Sequence, residues 1–317
     1  MKKNKYVCVV PTVGRPELVE RCIPSLLAQS MGFLEIIIVS DDLNYDGKDA
    51  LSLSKKIKVL HTRGQQGGPA ARALGYRNST ADYCVFVDDD DAISVDFLSN
   101  LDSAISLQMV DVGIVIPKVI KIWEEGLVPS HQARPPMNTI EPTIIPQDVL
   151  EKWCPSTSSG LVFSKKCFPE LPIDEEIKGF NDVQMVRAGA RLGVTVLFCP
   201  SAVANFYQYF SRNRMTSSIG DRLHNLEVAK NRGLLFSVEE EKAIVAGAVF
   251  SSMRSTAYVR GLIKAFEIFF SCLKDERYKH SLLANKKRIV LQAATVVWLA
   301  AIGRIAVFGS VVKRCFS

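Results

Sequence analysis

The amino-acid sequence predicts an α/β fold: a mostly parallel sheet with flanking helices, followed by a C-terminal helical region. Three observations carry that expectation. Apolar runs of strand length alternate with helically spaced stretches from Lys5 to about Lys118, polar and acidic residues gather just past the ends of those runs, and from Asp221 onward the spacing is helical throughout. With 317 residues, 48% of them hydrophobic, the chain can supply a sizeable core and one large domain or two.

The strand candidates are Tyr6 to Val10, Glu35 to Ser40, Ile57 to His61, Tyr83 to Val87 and Val110 to Ile116. Between them Pro16 to Gln29 and Pro69 to Asn78 carry helical spacing, and Pro16 and Pro69 sit where a first turn tolerates a residue without an N–H. Pro24, inside the first of these, should kink it. Ser94 is the expected cap of a helix bearing Phe97, Leu98, Leu101, Ala104 and Ile105. From about Ile120 to Glu176 Pro and Ser are frequent and periodicity is weak, which predicts loops with a few short strands. A helix from about Asp182 to Leu192, a strand from Val194 to Cys199 and an irregular polar stretch to Ile219 come next. Ser237 with Glu240 then reads as a capping box, and Val259, Leu262, Ile263, Phe266, Phe270 and Leu273 recur at helical spacing.

The net charge of +6 is uneven, because Lys274 to Ser317 holds nine Lys or Arg against Asp275 and Glu276 while the rest is near neutral. A basic tail suggests an acidic surface as partner. It lacks the interleaved aromatic residues of a nucleic-acid platform, so no nucleic-acid partner is expected. Lys286-Lys287-Arg288 precede an apolar stretch from Ile289 to Gly303, broken by Gln292 and followed by Arg304, Lys313 and Arg314. Residues 286–314 therefore suit a helix lying on an anionic membrane surface, with packing as ordinary core the alternative. The apolar run Tyr6 to Val10 is too short for a signal-peptide core, so the expected location is cytoplasmic, peripheral on the inner face of the membrane if the tail docks there. Eight scattered cysteines without a CxxC pair read as reduced thiols and imply neither zinc nor disulfides.

Chemistry concentrates past the strands. Strand one delivers Pro11-Thr12-Val13-Gly14-Arg15, the second Asp41-Asp42, the third Arg63 to Gly68, and the fourth the four aspartates Asp88 to Asp91. Four adjacent carboxylates repel one another unless a cation or hydrogen-bond donors compensate them. Mg²⁺ or Mn²⁺ would do so while sharing its shell with substrate phosphates, and a solvated acidic turn is the plain alternative. Backbone amides of the glycine loop and the helix start at Pro69 could receive a diphosphate, with Arg72 one turn inside.

Five segments, in order and spacing, resemble glycosyltransferase family 2: Val9-Val10-Pro11-Thr12, Ser25-Leu26-Leu27-Ala28-Gln29, Ile36 to Asp42, Gly67 to Gly75, and Phe86 to Asp91. The resemblance implies a GT-A, Rossmann-like fold, a nucleotide-diphosphate sugar donor (a UDP-sugar favoured), Mn²⁺ or Mg²⁺, and a carbohydrate or lipid-linked acceptor, as in cell-surface polysaccharide synthesis. Carried over, Thr12 and Asp41 would meet the nucleobase with Asp42 nearby. Pro11, Arg15, Gly68, Arg72 and Asp89 would line the donor site. Asp90 would contact the metal, and Asp88 would lie at the ribose or metal. Asp89 and Asp91 form a second register, ranked lower because the family places its first Asp directly after the apolar strand. Ser158-Ser159-Gly160-Leu161 resembles the strand lining the acceptor side. Gly179-Phe180-Asn181-Asp182 resembles the Glu-Asp motif whose Asp is the base of inverting members, although Asn181 stands where Glu is usual. Asp182 would otherwise be a helix N-terminal residue favoured by the macrodipole. Arg212 and Arg214 could reach donor phosphates or lie in a solvated loop.

The domains expected are therefore a transferase domain over 1–219, its donor half ending near 118 and its acceptor half running to 219, and a helical region over 220–317. A serine or cysteine hydrolase lacks its GxSxG elbow here, and a dinucleotide-binding enzyme lacks GxGxxG after strand one. The alternatives left open are a sugar-nucleotide nucleotidyltransferase, which would open with a glycine-rich loop missing here, and a catalytically silent nucleotide-binding scaffold.

Overall fold

Alternation along the first strands sorts the core into two faces of one sheet. A computed structural model of the chain describes residues 3–124, 129–133, 135–152, 157–209, 219–234 and positions 237, 238, 240–242, 244, 245, 249, 267, 268, 271 and 272. The chain divides into two compact units, Met1–Gln208 and Tyr209–Ser317.

In the first unit, β1 (Tyr6–Thr12), β2 (Glu35–Ser40), β3 (Ile57–His61) and β4 (Tyr83–Phe86) run parallel in the order β3-β2-β1-β4. A two-residue strand, β5 (Ala92–Ile93), follows β4. The long β6 (Val112–Trp123) comes next, then β7 (His131–Gln132), β8 (Thr143–Ile144), β9 (Val162–Ser164) and β10 (Thr195–Gln208). Antiparallel β9 is wedged between β4 and β6, and β10 runs parallel to β6. The sheet is thus mixed but mostly parallel.

Because side chains alternate along a strand, Cys8, Val10, Ile36, Ile38, Val85 and Val87 face one layer and Val7, Val9, Ile37, Val39, Cys84 and Phe86 the other. The first layer holds α1 (Ile23–Leu27) and α4 (Phe97–Ser106), and the second holds α3 (Gly68–Arg77) and α6 (Asn181–Arg191). The short helices α2 (Lys48–Leu53) and α5 (Gln147–Lys152) complete the unit. Among the described residues six cysteines are free thiols, and all but Cys167 are buried.

Several boundaries differ from expectation for identifiable reasons. The first helix opens as a π-helical turn, Leu18–Cys22, and becomes α-helical only at Ile23, so Pro24 falls in a first turn that needs no donor. Ser94 is not the cap of α4: Asp96 occupies that position, and the buried Ser94 hydroxyl has no partner. Strand β10 continues to Gln208, well past Cys199, because a register shift between Cys199 and Val203 absorbs Pro200 and Ser201 and pairing with β6 then resumes.

In the second unit α7 spans Ile219–Asn231. The capping box is present: Ser237 N–H donates to Glu240 Oε2 at 2.7 Å, and Glu240 N–H donates to Ser237 Oγ at 3.1 Å. Among the described residues no helix is long and apolar enough to cross a membrane. Residues 286–314, on which the membrane-surface expectation falls, lie outside the described residues.

Candidate active site

The strand ends are tied together before any side chain acts. Asp41 N–H donates to Thr12 O at 2.9 Å, Thr62 N–H to Ser40 O at 2.9 Å and Val87 N–H to Val9 O at 3.2 Å, so the ladder runs past β1, β2 and β4. The residues that follow start from fixed positions at the carboxyl edge of the sheet, where open α/β sheets hold ligands.

The four aspartates split two and two. Asp91 N–H donates to Asp88 O at 3.0 Å and closes a turn. Within it Asp89 and Asp91 are 3% and 0% exposed, while the side chains of Asp88 and Asp90 keep 27% and 15%. Asp89 is held by Thr12 Oγ1 at 2.7 Å and Arg15 Nη1 at 2.8 Å, and the same Nη1 stands 3.3 Å from Asp90 Oδ2. Asp91 accepts Ser159 Oγ–H and, at 2.9 Å, the Tyr207 N–H. Burial pushes the Asp89 carboxyl up to about 6 against the pull of Arg15 and Thr12. Burial, then the like charges of Asp90 and Asp88, hold Asp91 well above the ordinary carboxylate range.

Asp88 meets α3 and the segment before β9. Arg72 Nη2 donates to Asp88 Oδ1 and, at 2.7 Å, to Ser158 Oγ, while Asp88 N–H donates to Ser159 Oγ at 3.0 Å. Ser158 and Ser159, expected on an acceptor wall, are thus built into the aspartate turn. The buried Arg72 Nε has no partner. Gly68 makes room for this guanidinium, since a Cβ there would stand 2.6 Å from Arg72 Nη1.

The glycine loop faces inward. Asp41 Oδ1 accepts Thr62 Oγ1–H at 2.5 Å and Gln66 N–H at 2.9 Å, Oδ2 accepts Gly67 N–H at 2.7 Å, and Gly64 N–H goes to Thr62 Oγ1 at 3.0 Å. Gln65 and Gly67 reach this arrangement at φ 52° and 87°. The amides of Gln66 and Gly67, in the loop expected to receive a diphosphate, therefore cradle a carboxylate of the chain itself, and that of Gly64 meets the Thr62 hydroxyl. Asp42 is likewise used locally, accepting Asn44 N–H at 2.9 Å in an Asx turn. Pro11 lies within β1 opposite Val39.

Asp182 enters from the first turn of α6, after Phe180 in a left-handed conformation at φ 59°. It is half-buried and accepts Val183 N–H at 3.0 Å. Burial pushes its carboxyl up to about 6, opposed by that N–H and by Arg72 and aided by Asp88. Asn181 Nδ2 donates to Lys178 O at 3.4 Å, and its buried Oδ1 has no partner. Arg214 lies outside the described residues.

Sequence reasoning missed Arg21, Tyr207 and Lys178. Arg21 Nη1 donates to Asp90 O at 3.1 Å, and Lys178 Nζ donates to Gln65 O at 3.2 Å. Each joins elements far apart in the chain, and no local pattern announces such pairings.

The family model described as glycosyl transferase family 2 matches residues 7–147. Residues 7–147, just under half of the chain, are thus similar to that family. The glycosyltransferase GlyA of Streptococcus pneumoniae is 26% identical over 114 residues, which cover 35% of this chain and 16% of that protein. The uncharacterised glycosyltransferase EpsJ of Bacillus subtilis is 34% identical over 90 residues, 27% of this chain and 26% of that one. The matched stretch thus spans well under a third of either relative. S. aureus TarS 1-349 in complex with UDP-GlcNAc superposes with a TM-score of 0.56 at 14% identity, over 94% of this chain and 92% of that one. GalNAc-T7 with UDP, GalNAc and Mn2+ does so at 0.53 and 16%, over 79% and 51%. At these identities the likeness is one of fold, and that fold is GT-A.

Proposed function

We propose that this chain is a glycosyltransferase that moves a sugar from a nucleotide-diphosphate donor, a UDP-sugar by preference, to an acceptor hydroxyl with inversion. The observation that carries the reading is the split of the aspartates at the end of β4. Asp88 and Asp90 keep exposed carboxylate surface beside Arg72 and Arg15, while Asp89 and Asp91 are consumed by internal hydrogen bonds. This favours the register Asp88 and Asp90 over Asp89 and Asp91.

Among the described residues no three His, Cys, Asp or Glu side chains converge as a metal cluster. Two hard carboxylates nonetheless suit Mg²⁺ or Mn²⁺, which commonly takes one or two and completes its shell with water and phosphate oxygens. The residues that would hold it are Asp90 and Asp88, and it would supply charge neutralisation at the departing diphosphate.

The chain's own groups account for the rest. Arg72 and Arg15 offer positive charge to the donor, and Thr12 and Asp41 define the nucleobase side by anchoring the loops around it. Asp182, ionised, accepts the acceptor hydroxyl proton as that oxygen bonds to the anomeric carbon. The bond from that carbon to the diphosphate oxygen breaks, and its electron pair leaves on the diphosphate. One displacement from the opposite face inverts the centre.

The test is a calorimetric and thermal-shift screen of UDP and UDP-sugars with and without Mn²⁺. Saturation at about 100 times Kd should stabilise the fold by roughly 2.7 kcal/mol. Absence of nucleotide binding under every metal condition would reject the reading.

A further inference from the structure

Arg21 is absent from the chemistry above, yet it touches three separate parts of the site. It projects from the π-helical turn ahead of α1, where Nη1 donates to Asp90 O at 3.1 Å and Nη2 pairs with Glu124 Oε1 at the end of β6. Its guanidinium carbon stands 3.8 Å above the Tyr207 ring at the end of β10. Tyr207 in turn donates its N–H to Asp91 Oδ1 at 2.9 Å, Ser159 Oγ–H donates to Asp91 Oδ2, and Asp88 N–H donates to Ser159 Oγ at 3.0 Å. These contacts form a closed circuit around the turn: Asp90 carbonyl, Arg21, Tyr207, Asp91, Ser159 and the Asp88 amide.

The geometry points to Arg21 as a positioning residue that, with the Tyr207 ring, fixes the backbone of the turn Asp88 to Asp91 and so the aim of the Asp88 and Asp90 carboxylates. Like charges crowded on adjacent residues favour opening such a turn, and a planar guanidinium on the main-chain oxygen opposes this without occupying a carboxylate face. Lysine is a poor substitute, because it can satisfy neither the fork on Asp90 O and Glu124 nor the flat approach to the ring. The proposal rests on the reading of the turn as the donor and metal site only for its effect on binding, since its effect on the backbone is independent of that reading.

Hydrogen–deuterium exchange on the full chain tests the backbone part, using Arg21→Met, Arg21→Lys, Tyr207→Leu and Tyr207→Phe. The Asp88 and Asp91 amides, both hydrogen-bonded, are the reporters. Arg21→Met, Arg21→Lys and Tyr207→Leu should speed exchange in peptides covering 88–93 about tenfold, with β1 and β2 peptides unchanged. Tyr207→Phe, which keeps ring and N–H, should match the parent. Calorimetry of UDP should then show Mn²⁺-dependent affinity about tenfold weaker in the first three variants and unchanged binding in chelator. Unaltered exchange at 88–93 in folded Arg21→Lys, or exchange raised evenly across the sheet, overturns the proposal. A parent protein that binds no UDP would reject the functional reading, while the exchange result would still decide the brace.

Discussion

Asp41 Oδ2 accepts the Gly67 N–H at 2.7 Å, and its other oxygen holds Thr62 and Gln66, so one carboxylate organises the loop from β3 to α3. An amide in its place would offer one good acceptor where the loop presents three donors. Asp41→Asn should therefore cost about 1–3 kcal/mol, the range for leaving a buried donor unsatisfied. Urea denaturation would read this as a lower midpoint at unchanged slope. Parental stability would mean that the loop is held by something other than Asp41.

The two kinds of aspartate should separate under substitution. Asp90→Ala, which removes a partly exposed carboxylate, should abolish most turnover and weaken Mn²⁺-dependent donor binding while thermal stability stays near that of the parent. Asp91→Ala leaves Ser159 Oγ and Tyr207 N–H without their buried acceptor and should lose about 1–3 kcal/mol of stability. Full metal-dependent activity in Asp90→Ala would show that the register is wrong.

The parts of this molecule legible in the sequence are those written in local pattern. Apolar runs of strand length marked the strands from Tyr6 to Phe86, and the aspartate run marked a charged turn at a strand end, because both depend on neighbours in the chain. The half of the unit after β5 was less legible. Strand β10 passes Pro200 by a register shift, and nothing around Ser201 signals that pairing resumes at Val203. Which aspartates face inward was also hidden, because Asp89 is set by Thr12 and Arg15, and Asp91 by Ser159 and Tyr207, at separations of 68 to 116 residues. The partner of the glycine loop was hidden for the same reason: the Gln66 and Gly67 amides suit an anion, and the one they meet is Asp41.

Asp182 should impose a pH limb. Burial pushes its carboxyl from the ordinary 3.8 up to about 6, so as the proposed base it would be protonated and idle below that pH and active above it. kcat/KM should rise through about pH 6, and Asp182→Asn should remove the limb and lower turnover on the order of 10²-fold to 10⁴-fold with donor affinity nearly unchanged. The stability sign is opposite. A carboxyl whose folded value is raised contributes stability fully below about pH 4 and loses it as pH rises through about 6. Asp182→Asn should accordingly show a flatter stability profile between pH 4 and 7 than the parent. Loss of donor binding in this variant would reassign Asp182 to a structural role.

Two glycines of α3 should respond to the same substitution in opposite ways. A Cβ at Gly75 would lie 2.4 Å from Val9 Cγ1 and 3.1 Å from Val39 Cγ2, both on fully buried strand residues. Overpacking of this kind costs about 1–3 kcal/mol, against about 1 kcal/mol that Ala gains over Gly within a helix. Gly75→Ala should therefore destabilise the fold on balance. At Gly68 the obstructing atom is Arg72 Nη1, the far end of a flexible side chain, at 2.6 Å. That guanidinium can shift more readily than the strand methyls of Val9 and Val39, but doing so breaks its bonds to Asp88 and Ser158. Gly68→Ala should thus lose donor affinity with a smaller fall in melting temperature than Gly75→Ala, which should bind donor normally while folded. Equal melting losses in both variants would show that Arg72 is locked in place, and that its contact with Asp88 belongs to the core rather than to a donor site.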